Sequence, residues 1–349
     1  MKYLKLYSNC LIVTGYSRDL IVDLQFDEFY FINKKITSFL LECEKKEYSF
    51  VFNSYFKKYG KVFKEYIQFL SNNKLVFFCK KSELKLFSNL ELNYSSFSTI
   101  SNAIIDLKFD SIENFNHIIS QLEELNCQHI EVRIFSKLTL DIIDNLFYKL
   151  KNRNIRSVTI YLPYIDSFSI KSFFTLSQNI SKIQNIIIYS SNFDKIIPAD
   201  SSGMGNIIFT SQSILSNDHC GFISMHTFTS NLQLFTESQK YNTCLNRKIS
   251  IDVDGNIKNC PSMKKSYGNI SSTTLREVLE MEGFKDLWYI HKDQIEICKD
   301  CEFRHICTDC RAYIQDPNNK YSKPAKCSYN PYTATWGDEN PTNNPLYGQ

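Results

Sequence analysis

Thiols are the side chains whose number and spacing in this chain most plainly suit chemistry. Seven of its 12 cysteines fall in one stretch: Cys244, Cys260, Cys298, Cys301, Cys307, Cys310 and Cys327. The spacing reads C-x15-C, a gap of 37 residues, C-x2-C-x5-C-x2-C, then C-x16-C. A thiolate is a soft anionic ligand, and cysteines two to five residues apart on a turn aim their sulfurs at one centre. That chemistry is an iron–sulfur cluster or zinc. Zinc accepts Cys298, Cys301, Cys307 and Cys310 as a compact four-thiolate site but leaves Cys244, Cys260 and Cys327 without a role. Cys10, Cys43, Cys79 and Cys127 each stand alone and read as small buried hydrophobes.

Other reactive residues have simpler explanations. His219 and His226 read as structural histidines. Asp252 and Asp254 look like paired carboxylates, but Asp254-Gly255 is a hairpin-turn signal that accounts for them. Gly203-Met-Gly205 has no helix after it and reads as a turn, not a phosphate loop.

The elements that must position the thiols follow from periodicity. Residues 1–90 form a small α+β unit. Leu11 and Val13, then Leu20, Val22 and Leu24, then Phe29 and Phe31 alternate as strands. Val51, Tyr55 and Tyr59, then Val62, Tyr66 and Phe69, recur at helical spacing with Gly60 as a stop between them. A strand over Leu75–Cys79 closes the unit, an order expected of a winged-helix-like domain. Residues 100–215 alternate strands (Ile104–Leu107, Ile130–Ile134, Val158–Leu162, Ile186–Tyr189) with helical stripes. Asp110-Ser-Ile-Glu113 reads as the first capping box. Such alternation implies a parallel sheet, open or as a partial (β/α) barrel. Ile207–Thr210 and Gly221–Met225 read as further strands. In the cysteine-rich part, residues 240–335, a hairpin over Ile249–Ile257 lies between Cys244 and Cys260. Thr274–Leu279 and Phe284–Trp288 read as amphipathic helix, and residues 336–349 are a tail.

At 349 residues, two or three domains are expected, and 43% hydrophobic residues suffice for their cores. The formal net charge of +3 gives no footprint for nucleic acid or a membrane surface. No apolar run approaches spanning length, and the N-terminus lacks a signal-peptide pattern, so the expectation is a cytoplasmic protein. In a reducing compartment dense cysteines are metal ligands rather than disulfides.

The hairpin contributes C-x10-G-x4-C through Cys244, Gly255 and Cys260, and Cys298-Lys-Asp-Cys301-Glu-Phe-Arg-His-Ile-Cys307-Thr-Asp-Cys310 follows. In this order the sequence resembles the SPASM domain, which carries auxiliary [4Fe–4S] clusters in radical-SAM peptide-modifying enzymes. It departs in one place: two residues separate Cys307 from Cys310 where the family has three, a displacement on the order of 3.5 Å. The resemblance implies two clusters, one held by Cys244, Cys260 and Cys310 and the other by Cys298, Cys301, Cys307 and Cys327. Cys220 is the candidate to complete the first; otherwise one iron is open to water, a substrate or His219. His305, between ligands, is expected to face solvent or bond to a cluster sulfur. Mixed or zinc sites remain the alternative.

A radical-SAM enzyme needs C-x3-C-x2-C, which this sequence lacks, so the chain alone is not expected to cleave S-adenosylmethionine (SAM). A SPASM-like region behind Leu6-Tyr-Ser-Asn-Cys10 and Asp23-Leu-Gln is similar to the maturases of grasp-with-SPASM systems, encoded beside an ATP-grasp ligase and a short precursor peptide. The N-terminal unit likewise resembles the precursor-recognition domains of peptide-modifying enzymes, where a leader peptide adds a strand to a sheet edge. The expectations are therefore a precursor peptide and an ATP-grasp ligase as partners, residues 100–215 as a degenerate radical-SAM-like scaffold, and either assistance in peptide modification or a non-enzymatic adaptor with structural metal.

Overall fold

The computed structural model describes residues 2–199, 205–216 and 219–337. Gly203 and nearly all of the 336–349 tail lie outside the described residues. The chain is mixed α/β, built around a large, mostly parallel sheet.

The N-terminal unit starts with β1 (Lys2–Leu6), which sequence periodicity did not separate from its surroundings, and continues as an antiparallel meander of β2 (Cys10–Thr14), β3 (Asp19–Asp23) and β4 (Glu28–Ile32). Helices α1 (Lys34–Cys43) and α2 (Tyr48–Asn72) follow, and β5 (Val76–Lys80) returns to pair antiparallel with β1. Gly60 interrupts the helix as expected, its backbone leaving the helical region between the two runs. It adopts φ 65° and ψ −142°, open to glycine at no steric cost, so α2 is two helical runs meeting at a kink there. One core under these helices contains Phe39, Val51, Phe63 and Leu70, with Cys10 and Cys43 buried in it.

The central unit runs β6 (Asn102–Leu107), α3 (Phe115–Glu124), β7 (His129–Ile134), α4 (Leu140–Tyr148), β8 (Ser157–Pro163), α5 (Ile170–Asn179), β9 (Ile183–Tyr189), β10 (Lys195–Ile197) and β11 (Asn206–Phe209). The expected capping box at 110–113 is instead a 3-10 turn over Phe109–Asn114. Ser111 Oγ accepts the Lys108 backbone N–H at 3.0 Å, and the α-helix starts only afterwards. Gly221–Met225 forms no strand.

After α6 (Leu232–Ser238) comes the cysteine hairpin, β12 (Lys248–Ile251) and β13 (Ile257–Lys258). This hairpin joins the central sheet. β12 pairs in parallel with β6, giving the order β10-β11-β9-β8-β7-β6-β12-β13, an open sheet whose two end strands do not meet. Beyond it lie α7 (Leu275–Glu280) and a C-terminal pair, β14 (Tyr329–Asn330) with β15 (Thr335–Trp336). Residues 286–289 form a 3-10 turn where an amphipathic helix was expected.

Strands that step successively across a parallel sheet, each joined by a right-handed crossover, put their helices on one face. That face is apolar: Ile105, Val132 and Ile160 pack with Ile118, Phe147 and Phe173 in one core. The same core takes in Ile249 and Ile251 from β12, and Leu275 and Phe284 beyond the hairpin. The opposite face is polar, with Asp106, Arg133 and Tyr161 side by side across β6, β7 and β8. Arg133 is buried and gives Asp106 two hydrogen bonds, at 2.6 and 2.8 Å. Burial pushes the Asp106 carboxyl up to about 6 against the pull of Arg133, while the same pairing raises Arg133. Two short, parallel N–H···O bonds mark an ion pair at neutral pH. Arg133→Met would leave Asp106 buried without its cation. The expected loss of unfolding free energy in urea titration is about 3–5 kcal/mol, and Asp106→Leu added to Arg133→Met is expected to restore most of it.

Candidate metal centres

All 12 cysteines are free thiols. Cys10, Cys43 and Cys127 are deeply buried, and burial pushes each thiol up to about 12. Cys79 is also buried, in β5. The remaining eight fall into two groups.

The first group is Cys220, Cys244, Cys260 and Cys310. Cys244 precedes β12 in a loop that Asn242 shapes. The Asn242 side-chain oxygen accepts the backbone N–H groups of Cys244 and Leu245 at 3.0 and 2.8 Å. Its amide donates to the Ile290 carbonyl at 3.1 Å and to Asp309 Oδ2 at 2.6 Å. Cys260 leaves the hairpin two residues after β13. The turn between the strands is held by Asp252, whose Oδ1 accepts from the backbone of Asp254 and Asn256 at 3.0 and 2.9 Å. Asp252 and Asp254 are thus turn residues, each also paired with a lysine, Lys258 and Lys108 respectively.

Cys220 bonds to Cys260 and to Ser262, its sulfur 3.2 Å from Ser262 Oγ. The bond from Cys260 holds the Cys220 thiol below the usual range, and the reciprocal bond together with burial raises Cys260. Gly221 has φ 83°, and a Cβ there would lie 2.8 Å from Cys310 Sγ, so a bare backbone lets the Cys220 loop close on Cys310. Burial, then the neighbouring Cys244, pushes Cys310 up to about 11.

The second group is Cys298, Cys301, Cys307 and Cys327, which line one small cavity with Lys292, Phe228, Phe303 and Trp336. Cys298 opens a 3-10 turn whose carbonyl accepts the Cys301 N–H at 3.0 Å, which is how two intervening residues bring both thiols to one side. Cys327 arrives on a turn closed by its N–H to the Pro324 carbonyl at 3.3 Å. Among the described residues, Trp336 Nε1, buried in this wall, has no hydrogen-bond partner. A donor without an acceptor beside four thiols fits a group that carries acceptor sulfur. Among the described residues, no three His, Cys, Asp or Glu side chains converge as one metal ion requires.

His219 donates its Nδ1–H to the Ser216 carbonyl at 2.7 Å. His305 is buried and does not face solvent. Its Nδ1 lies 3.0 Å from Ser238 Oγ, and burial, then the Arg304 charge, lowers its pKa to about 4. Periodicity and motif spacing gave no sign of Asn242, Lys248, Lys292, Asp309 or Arg311, polar residues that pack around the thiols. Their only sequence signal is position within a few residues of a cysteine.

Two comparisons bear on this geometry. Residues 243–302 match the family model of the SPASM domain, an iron–sulfur cluster-binding domain. The C-terminal part of the chain therefore carries a SPASM domain. Among solved structures, Streptococcus suis SuiB bound to S-adenosylmethionine is 11% identical, over 92% of this chain and 98% of that chain, with a TM-score of 0.39. SuiB bound to the precursor peptide SuiA is 11% identical, over 88% and 96%, with a TM-score of 0.35. At these scores the likeness is too distant to assign a shared fold or activity. No curated protein matches the chain.

Glu237, at the end of α6, braces the Cys244 loop by accepting from Asn246 Nδ2 at 2.7 Å. Burial raises its carboxyl from 4.5 to about 7 against the hydrogen bonds from Asn246 and Tyr94. The folded chain therefore keeps a proton that the unfolded chain releases above pH 4.5. This contribution to stability is complete below that pH and is lost as pH rises through about 7. Over that window the expected fall is about 3 kcal/mol. Urea titrations of Glu237→Gln at pH 5 and 7.5 are expected to lack it.

Proposed function

We propose that this protein assists the maturation of a ribosomally made peptide and holds two [4Fe–4S] clusters, one on Cys220, Cys244, Cys260 and Cys310, the other on Cys298, Cys301, Cys307 and Cys327. The observation that carries the reading is the gathering of eight thiols from separate segments into two groups of four, around and beyond the SPASM match. Bound clusters would supply one-electron chemistry and, through ligand binding energy, fold the segments that carry them. Residues 1–90 would hold the precursor. In support, β2 is an edge strand of the meander, and beside it runs a groove of about 430 Å³ lined by Leu11, Ile12, Leu41, Phe77 and Phe87 with Lys5 at its side. An extended peptide can pair with such an edge through its backbone and fill the groove with alternate side chains. The residues up to position 95 carry 15 Lys/Arg against 10 Asp/Glu, an excess of 15 − 10 = 5 that suits an acidic peptide. An ATP-grasp ligase as partner, and a cytoplasmic setting, complete the proposal.

A second reading, an adaptor with structural metal, is favoured by the four remaining thiols, which are buried singly and dispersed through β2, α1, β5 and the loop before β7. Iron and sulfide analysis of anaerobically purified protein tests the common premise. About eight of each per chain are expected, with broad absorption near 400 nm; a metal-free or zinc-only protein sinks it. The loaded protein is then incubated with precursor, SAM and a reductant. A change in peptide mass supports assistance in modification and rules out the adaptor, and an unchanged mass with retained peptide binding does the reverse. Cys327→Ala is expected to remove about half of the iron.

A further inference from the structure

Each thiol group has one lysine directed into it. Lys292 Nζ lies 3.9 Å from Cys298 Sγ, and Lys248 Nζ lies 3.6 Å from Cys244 Sγ. Lys292 is 3% exposed and lines the cavity that its four cysteines share. Lys248 leaves the start of β12 with its stem half-buried and its ammonium turned to the first group.

An ammonium taken out of water costs several kcal/mol unless an anion compensates it. Around Lys292 the protein's own charges do not balance. Asp309 is the carboxylate in reach, at 3.4 Å, but the same oxygen receives Arg311 Nη2 at 2.7 Å, and both partners are buried. One carboxylate facing two cations leaves one positive charge over. Lys248 has a thiol as its hydrogen-bond acceptor.

We infer that Lys292 and Lys248 are the counter-cations of the two centres, each donating an N–H···S bond to a ligand sulfur and so setting that centre's reduction potential. The inference rests on the two-cluster reading above. A cation and an N–H donor beside a cluster stabilise its reduced, more negative state, so removing them moves the potential down. Both lysines act through the ligands they touch and are positioning residues.

The test uses full-length Lys292→Met, Lys292→Arg and Lys248→Met proteins purified without oxygen. Iron and sulfide are counted, and each centre's midpoint is found by potentiometric titration followed by electron paramagnetic resonance. Lys292→Met is expected to shift one midpoint to more negative potential and leave the other in place. Lys248→Met should do the converse, and Lys292→Arg should stay near wild type. If Lys292→Met fails to load while Lys292→Arg loads fully, the requirement for charge is supported. Loaded methionine variants with unmoved midpoints, or Lys292→Arg failing as Lys292→Met does, would overturn the inference. A wild type without iron would instead overturn the cluster reading itself.

Discussion

The carboxylate of Asp309 is the contact on which the arrangement of the thiols depends. It has no exposed surface, and three segments converge on it: Asn242 donates at 2.6 Å, Arg311 at 2.7 Å, and Lys292 approaches at 3.4 Å. Each of those residues sets a cysteine. Asn242 turns the backbone that presents Cys244, Arg311 follows Cys310, and Lys292 lies against Cys298. Arg311 also donates to the Ser322 carbonyl at 2.8 Å, which fixes the loop leading to Cys327. A buried carboxylate with partners on every side is costly to desolvate and costly to disrupt. Both thiol groups therefore take their positions from one polar contact.

The central sheet supplies the rigid half of the frame. Because β12 pairs with β6, the cysteine hairpin lies at the edge of the central sheet, and one apolar core runs from Phe147 to Trp288. The meander supplies the other half. Val13, Leu20 and Val22 pack with Phe303, Ile306 and Cys307, and Arg18 pairs with the buried Glu302 at 2.7 Å. Gly15 is needed at this seam, since a Cβ would come within 2.8 Å of Glu302 Cβ.

How much was legible in the sequence depended on range. The alternation around Ile105, Val132 and Ile160 specified a parallel sheet because period and turn residues are local signals. The cysteine spacing specified a metal-binding chemistry for the same reason. β1 was not separable, as its partner β5 lies some 70 residues on and only pairing defines it. Gly60 was legible as the break between two helical runs because glycine is a local signal, while the packing of Phe63 and Ile67 that sets the second run against the core was not. His305 looked exposed among charged neighbours, yet α6 covers it through Ser238. Nothing in the sequence marked Lys292 and Asp309 as buried, since a charge is made buried by what folds over it and not by its neighbours in the chain.

The two thiol groups differ in surroundings in a way that bears on the proposed role of the meander. The first borders the sheet's polar face, where Arg133, Glu131 and Lys248 lie. The second is walled by Phe228, Phe303, Tyr329 and Trp336, and the meander closes over that wall through Val13 and Leu20, with Leu11 beside them. Leu11 also lines the groove along β2. A peptide pairing with β2 would thus bind the strand that shields the second group from water. A peptide there would add cover to the apolar shell, and a drier shell strengthens every charge interaction inside it, the contact between Lys292 and Cys298 included. In this geometry the proposed peptide edge and the wall of the second thiol group share one strand, so peptide binding would be coupled to that group without any movement of the sheet.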